Sequence, residues 1–167
     1  RLIEGRKAEA EMLEAYASEL IMRFDIASMR FDNLAAATFL KERMELDTTN
    51  VEWMVDYAEF IRDYLGKYDE AMGLFERALY LSSESLLKAE IYNEIGVLHQ
   101  IRGQFQQAIG SIHTSIQLCE ADDMGHGRLA TRYHNLASIY VELNDYENAK
   151  YHFERCYEAS RSTFGEG

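Results

Sequence analysis

The stretch Gly66-Lys67-Tyr68-Asp69-Glu70-Ala71 decides how this chain is read, because it recurs. It returns as Gly103-Gln104-Phe105-Gln106-Gln107-Ala108 and as Asn144-Asp145-Tyr146-Glu147-Asn148-Ala149. A weaker copy is Met29-Arg30-Phe31-Asp32-Asn33-Leu34. Each strong copy has a turn residue, an aromatic two positions on, and an alanine three beyond that. From the first copy to the last, the separations are 37, 37 and 41 residues. A period of roughly 20 to 50 residues is the mark of a solenoid built from repeated supersecondary units.

Working outward from these turns, the apolar residues recur at three- and four-residue steps, the helical period. Met12, Leu13, Tyr16, Leu20 and Phe24 share one face of a helix predicted from about Glu9 to Ser28. A second helix is predicted from about Phe31 to Glu45. Asp47-Thr48-Thr49-Asn50 then supplies N-cap candidates for a third, Val51 to Leu65. The fourth runs from Tyr68 to Leu81, with Ala71, Leu74, Phe75 and Ala78 as its apolar stripe. Ser82-Ser83-Glu84-Ser85 is the next cap region. The remaining helices are predicted at about Leu86–Arg102, Phe105–Glu120, Arg128–Leu143 and Tyr146–Ser162. Short connections make successive helices antiparallel neighbours. The expected architecture is therefore all-α, four helix–turn–helix hairpins over approximately 9–46, 50–82, 85–121 and 127–163 in one domain.

Composition agrees. The 167 residues contain no proline, which suits back-to-back helices and not a turn-rich β fold. With 47% hydrophobic and 28% charged residues, the chain has enough apolar material to fold. No apolar run reaches the ~18 residues of a membrane span. The two cysteines, Cys119 and Cys156, read as reduced thiols, and the expected location is cytoplasmic. A net charge of −12 argues against nucleic acid and against an anionic membrane, both of which need clustered Lys and Arg. It leaves room for a basic partner. Ile3-Glu4-Gly5-Arg6 matches an engineered protease site, although a native helix start explains it as well.

The hairpins resemble tetratricopeptide (TPR) repeats, whose pattern is W-x2-L-G-x2-Y, then A-x3-F. The third repeat has Tyr92-x2-Ile95-Gly96-x2-His99 and Ala108-x3-Ile112. The fourth has Tyr133-x2-Leu136-Ala137-x2-Tyr140 and Ala149-x3-Phe153. The second has Met54-x2-Tyr57-Ala58-x2-Ile61 and Ala71-x3-Phe75, with one extra residue in the turn before Gly66. The first fits least, around Leu20-Ile21-x2-Phe24. Tyr133-His134-Asn135-Leu136-Ala137-Ser138-Ile139-Tyr140 and the connector Gly125-His126-Gly127 are similar to the longer repeats of the kinesin light chain and nephrocystin group, whose connector proline is absent here. Thr163-Phe164-Gly165 resembles the start of another connector, which leaves open an array continuing beyond residue 167.

The resemblance implies a right-handed solenoid that binds a protein or peptide in a concave groove lined by the first helix of each hairpin. The outward positions there are Glu52, Val55, Asp56, Glu59 and Asp63, then Glu90, Asn93, Glu94, Val97 and Gln100, then Thr131, His134, Asn135, Ser138 and Glu142. Without the extra residue in the second repeat, Trp53, Tyr57 and Phe60 would face the groove instead. The lysines and arginines of the family's clamp for acidic chaperone tails are missing from these positions. Glu52, Asp56, Glu59, Glu90 and Glu94 would instead form an acidic strip favouring a basic peptide. Asn93 and Asn135 could pair with its backbone, since an amide both donates and accepts.

No catalytic constellation accompanies this wall. The sequence has no phosphate-cradling glycine loop, no G-x-S-x-G, no H-E-x-x-H and no C-x-x-C. His152 and Cys156 stand at metal-ligand spacing, but Cys156 falls where the repeat wants a small core residue. The expectation is a non-enzymatic interaction scaffold without cofactor or metal. The alternative is a sensor segment gating an effector domain of a larger signalling protein. Self-association is a further expectation, because an array cut at either end leaves an unstacked apolar face.

Overall fold

The turns of the computed structural model share one backbone device. Gly66, Gly103 and Asn144 all take a left-handed conformation, with φ of 64°, 70° and 58°. The following amide reaches back to a carbonyl of the preceding helix, from Gln104 to His99 at 2.8 Å and from Asp145 to Tyr140 at 2.9 Å. This closes a helix by satisfying one of its orphan carbonyls, and glycine or asparagine adopts the required conformation at least cost. At Gly66 the same bond spans one residue more, from Lys67 to Ile61 at 3.0 Å. That wider turn accommodates the extra residue of the second repeat.

The first turn departs from the expected register. Its left-handed residue is Phe31 itself, with φ of 57°, and not Met29. Asp32 then caps the next helix by accepting from the Ala35 amide at 3.1 Å. The second helix consequently starts two residues later than its apolar pattern suggests.

The structure describes residues 2–122 and 126–164. Eight α-helices lie among them: α1 Leu2–Met29, α2 Asn33–Leu46, α3 Val51–Leu65, α4 Tyr68–Leu81, α5 Ser85–Ile101, α6 Phe105–Glu120, α7 Leu129–Glu142 and α8 Tyr146–Phe164. A short 3₁₀ turn at His126–Arg128 precedes α7. The connector residues Asp123 and Gly125, and Gly165 at the other end, lie outside the described residues, as do the side chains of Ile3, Glu4, Thr163 and Phe164.

The chain divides into two compact units, residues 1–81 and 82–167. In the first, α1 packs on α2, α2 on α3 and α3 on α4. Leu20, Ala36, Met54, Ala58, Ile61, Ala71, Phe75 and Ala78 are completely buried there. Small residues let the helix backbones approach, and Phe75 fills the space that remains. Met54, Tyr57, Ala58 and Ile61 thus form the inner face of α3, as the extra-residue register requires. Trp53 stays half-buried, with the Arg43 guanidinium 4.8 Å from its ring centre.

In the second unit α5 packs on α6, α7 on α8, and α7 also on α5 and α6. Ala89, Ala108, Ile112, Ile116, Cys119, Leu129, Tyr133, Leu136 and Ile139 make one core cluster. Gly96 marks the tightest crossing, since a Cβ there would stand 2.5 Å from Cγ1 of Ile112. Cys156 is partly buried against this cluster. Phe153, at the same repeat position as Ile112, is 42% exposed. Its repeat equivalent Ile112 is covered by α7, and no described helix follows α8 to do the same.

Candidate functional site

The first unit holds a cleft of about 350 Å³ between α1, α2 and α3. An aromatic ladder lines it. Phe24 meets Phe60 edge-on with ring centres 5.3 Å apart, and Phe60 stacks on Tyr64 at 4.6 Å. Ile21 and Leu40 complete the apolar floor. The carboxylates of Asp56, Glu59 and Asp63 line the same cleft. Helix geometry explains the arrangement. Residues 56, 59, 60, 63 and 64 recur at three- and four-residue steps, so they share one face of α3.

The three carboxylates are differently held. Asp56 accepts from Arg43 at 2.9 Å, and burial still pushes its carboxyl above the ordinary aspartate value. Asp63 accepts from the buried Arg62 at 2.6 Å and 3.1 Å. Glu59 is half-buried, and Glu52 is exposed at the start of the helix.

The second unit presents a polar wall. Asn135 donates to the side-chain oxygen of Asn93 at 2.9 Å, and Asn93 in turn donates to Glu94 at 2.9 Å. Asn93 is only 4% exposed, so its amide serves the α5–α7 contact before any ligand. Gln100 donates to Ser138 at 3.2 Å and also to Glu142. Val97 is half-buried beside them, and His134 is exposed with its ring 5.8 Å from that of Phe153.

Glu90 stands apart from the remaining expected groove residues. It accepts from Arg128 at 2.9 Å and from Arg132 at 2.5 Å. Arg132 is buried and also donates to Ser115, whose hydroxyl donates to the Ala89 carbonyl. Glu90 therefore belongs to a network tying α5, α6 and α7, with its charge already matched. Sequence reasoning missed Tyr64 altogether and placed Phe60 in the groove only in the register without the extra residue. The signal was available: Phe60 and Tyr64 are one helical turn apart beside Asp56, Glu59 and Asp63.

His152 is 7% exposed, stacked on Tyr140 at 5.3 Å, with His113 at 6.2 Å, and its Nδ1 has no hydrogen-bond partner. Among the described residues, no three His, Cys, Asp or Glu side chains converge as a metal site. No helix among them is long and apolar enough to cross a membrane.

Comparison with known proteins places these hairpins. Residues 87–162 match the tetratricopeptide repeat family. The chain is similar in structure to BtubC (BKLC) from P. vanneervenii, with a TM-score of 0.75 at 18% identity, over 100% of this chain and 78% of that one. It is similar to MamA with a TM-score of 0.68 at 19% identity, over 96% of this chain and 85% of that one. A second MamA structure gives 0.59 at 20% identity, over 88% and 72%. At such identities the likeness is one of fold. No curated protein sequence matches the chain.

Proposed function

We propose that this chain, a tetratricopeptide repeat protein, is a non-catalytic interaction module that captures a basic peptide or partner helix in the cleft of its first unit. The family's general role in protein–protein interaction supports the class of function. The observation that carries the finer reading is the pairing of Asp56, Glu59 and Asp63 with the Phe24–Phe60–Tyr64 ladder in one cleft. A lysine or arginine side chain suits both halves of that lining. Its charge meets the carboxylates, and its stem or guanidinium plane lies on the aromatic faces. The second unit has a polar wall of its own, on which Glu94, Val97, His134, Asn135 and Ser138 stand around the buried Asn93. Glu52 adds long-range attraction, which speeds capture at low salt.

The test is fluorescence anisotropy with a labelled decapeptide of alternating Arg and Ala, and with its Glu-Ala counterpart. The wild-type chain should bind only the basic peptide, with affinity falling as salt rises. Asp56→Asn with Glu59→Gln should weaken that binding on the order of tenfold, and Tyr64→Ala by a similar factor. Equal binding of both peptides, or unchanged affinity in the variants, would remove the cleft as the site.

A further inference from the structure

The aromatic ladder of the first unit has an open end. Phe60, its middle rung, is 8% exposed, whereas Tyr64, stacked on it with the ring planes 26° apart, is 60% exposed. Along α3, Asp56, Phe60 and Tyr64 recur at four-residue steps, and Glu59 and Asp63 form the neighbouring row at the same spacing. An exposed ring therefore stands beside a row of carboxylates, in a cleft where Leu40 and Phe60 are buried. Asp56 and Asp63 keep 51% and 47% of their side-chain surface open to solvent, so a further cation can approach each of them.

The fold itself shows which cation fits between a carboxylate and a ring. Arg43 lies 4.8 Å from the ring centre of Trp53 while donating to Asp56 at 2.9 Å. Arg62 lies 5.8 Å from the ring centre of Phe75 while donating twice to Asp63. In the second unit, Arg155 lies 5.3 Å from the ring centre of Tyr133 while donating to Glu158 at 3.0 Å. The pairs Lys41–Glu45 and Lys150–Glu154 instead join residues one turn apart on a single exposed helix. The physical reason lies in the cations. A guanidinium is planar and weakly hydrated, so its face rests on a ring while its edge donates to a carboxylate. An ammonium is compact and strongly hydrated, and it gives up more water to enter the same place.

We infer that the cleft of the first unit selects arginine over lysine, and that Tyr64 is the residue that discriminates. The inference rests on the basic-peptide reading of the same cleft and adds which basic side chain is taken and which group reads it. The incoming guanidinium lies on the exposed ring of Tyr64, as the next member of the Phe24–Phe60–Tyr64 ladder, with its N–H edge toward the carboxylate row. A peptide carrying lysine in place of arginine keeps the charge and loses the stacking.

Fluorescence anisotropy of the 167-residue chain with labelled decapeptides of alternating Arg and Ala, Lys and Ala, and Glu and Ala tests this. Wild type should hold the Arg peptide roughly three- to tenfold tighter than the Lys peptide, the range set by one cation–aromatic contact. Tyr64→Leu should bring the two affinities together by weakening the Arg peptide, and Tyr64→Phe should keep them apart. Both variants should retain the helical circular dichroism of wild type, because Tyr64 is exposed. Asp56→Asn with Glu59→Gln should weaken both basic peptides by the same factor and leave their ratio unchanged. Equal binding of the Arg and Lys peptides by wild type, above the Glu peptide, overturns the arginine preference and leaves the basic-peptide reading standing. A preference that survives Tyr64→Leu also overturns the proposal, since another group then reads the side chain. Binding of neither basic peptide above the Glu peptide removes the basic-peptide reading and this inference with it.

Discussion

The side-chain amide of Asn135 on α7 donates to the side-chain oxygen of Asn93 on α5 at 2.9 Å. Asn93 is 4% exposed, so water cannot replace its partner. Asn135→Ala should therefore destabilise the chain by about 1–3 kcal/mol, the cost of a buried polar group left unpaired. Replacing Asn93 with Leu as well should restore part of that loss. Urea unfolding of the two single variants and the double variant measures the coupling, and additive losses would show that the bond contributes little.

The ion pairs of Glu90 lead to a different expectation. Glu90→Gln leaves Arg132, which is buried, facing a neutral acceptor in place of a carboxylate, beside Ser115 and the Arg128 carbonyl. The pair is part-exposed on the glutamate side, so the loss should be about 1–3 kcal/mol and below that of a fully buried pair. A Glu90 charge reversal would thus lower stability before it tested any binding. Thermal melting of Glu90→Gln beside Glu52→Gln separates the cases, because Glu52 is exposed and its change should be nearly neutral.

Glycine substitutions should divide by position. Gly96→Ala puts a Cβ 2.5 Å from Cγ1 of Ile112 and 3.2 Å from the Ala108 carbonyl oxygen. Overpacking of that kind should cost about 1–3 kcal/mol. Gly110→Ala in α6 meets nothing within 4 Å and should stabilise by about 0.5–1 kcal/mol. Chemical denaturation of both variants checks the opposite signs.

His152 should make stability depend on pH. Burial holds its pKa below the ordinary value of 6.5, with His113 and then Arg155 adding repulsion. Tyr133 and Tyr140 of α7 and Tyr151 of α8 complete its surroundings, and none of them offers a negative charge at neutral pH. The folded chain keeps His152 neutral where the unfolded chain takes up a proton. Stability is then full above about pH 6.5 and falls as pH drops toward the lower folded value, by up to about 1.4 kcal/mol per pH unit. His152→Phe should flatten the decline between pH 7 and pH 5. A decline of equal slope in that variant would assign it to the carboxylates.

The sequence by itself determined the elements, because their signals are local. A left-handed residue, an aromatic and an alanine within six positions suffice to end one helix and begin the next. Gly66, Gly103 and Asn144 could therefore be placed without any tertiary information. Phe31 could not, since an aromatic in the left-handed position reads as the aromatic of the repeat and shifts the apparent register by two. Only tertiary contacts set which of the expected groove residues already have a partner. The partners of Glu90 stand 38 and 42 residues away on the chain, at Arg128 and Arg132. Asn93 is engaged by Asn135 from 42 residues away, and Asp56 by Arg43 from 13. Charge depends on the residue, but its compensation depends on what folding brings within hydrogen-bond reach. The exposure of Phe153 follows the same logic, since an identical repeat position is core or surface according to whether a helix stacks upon it.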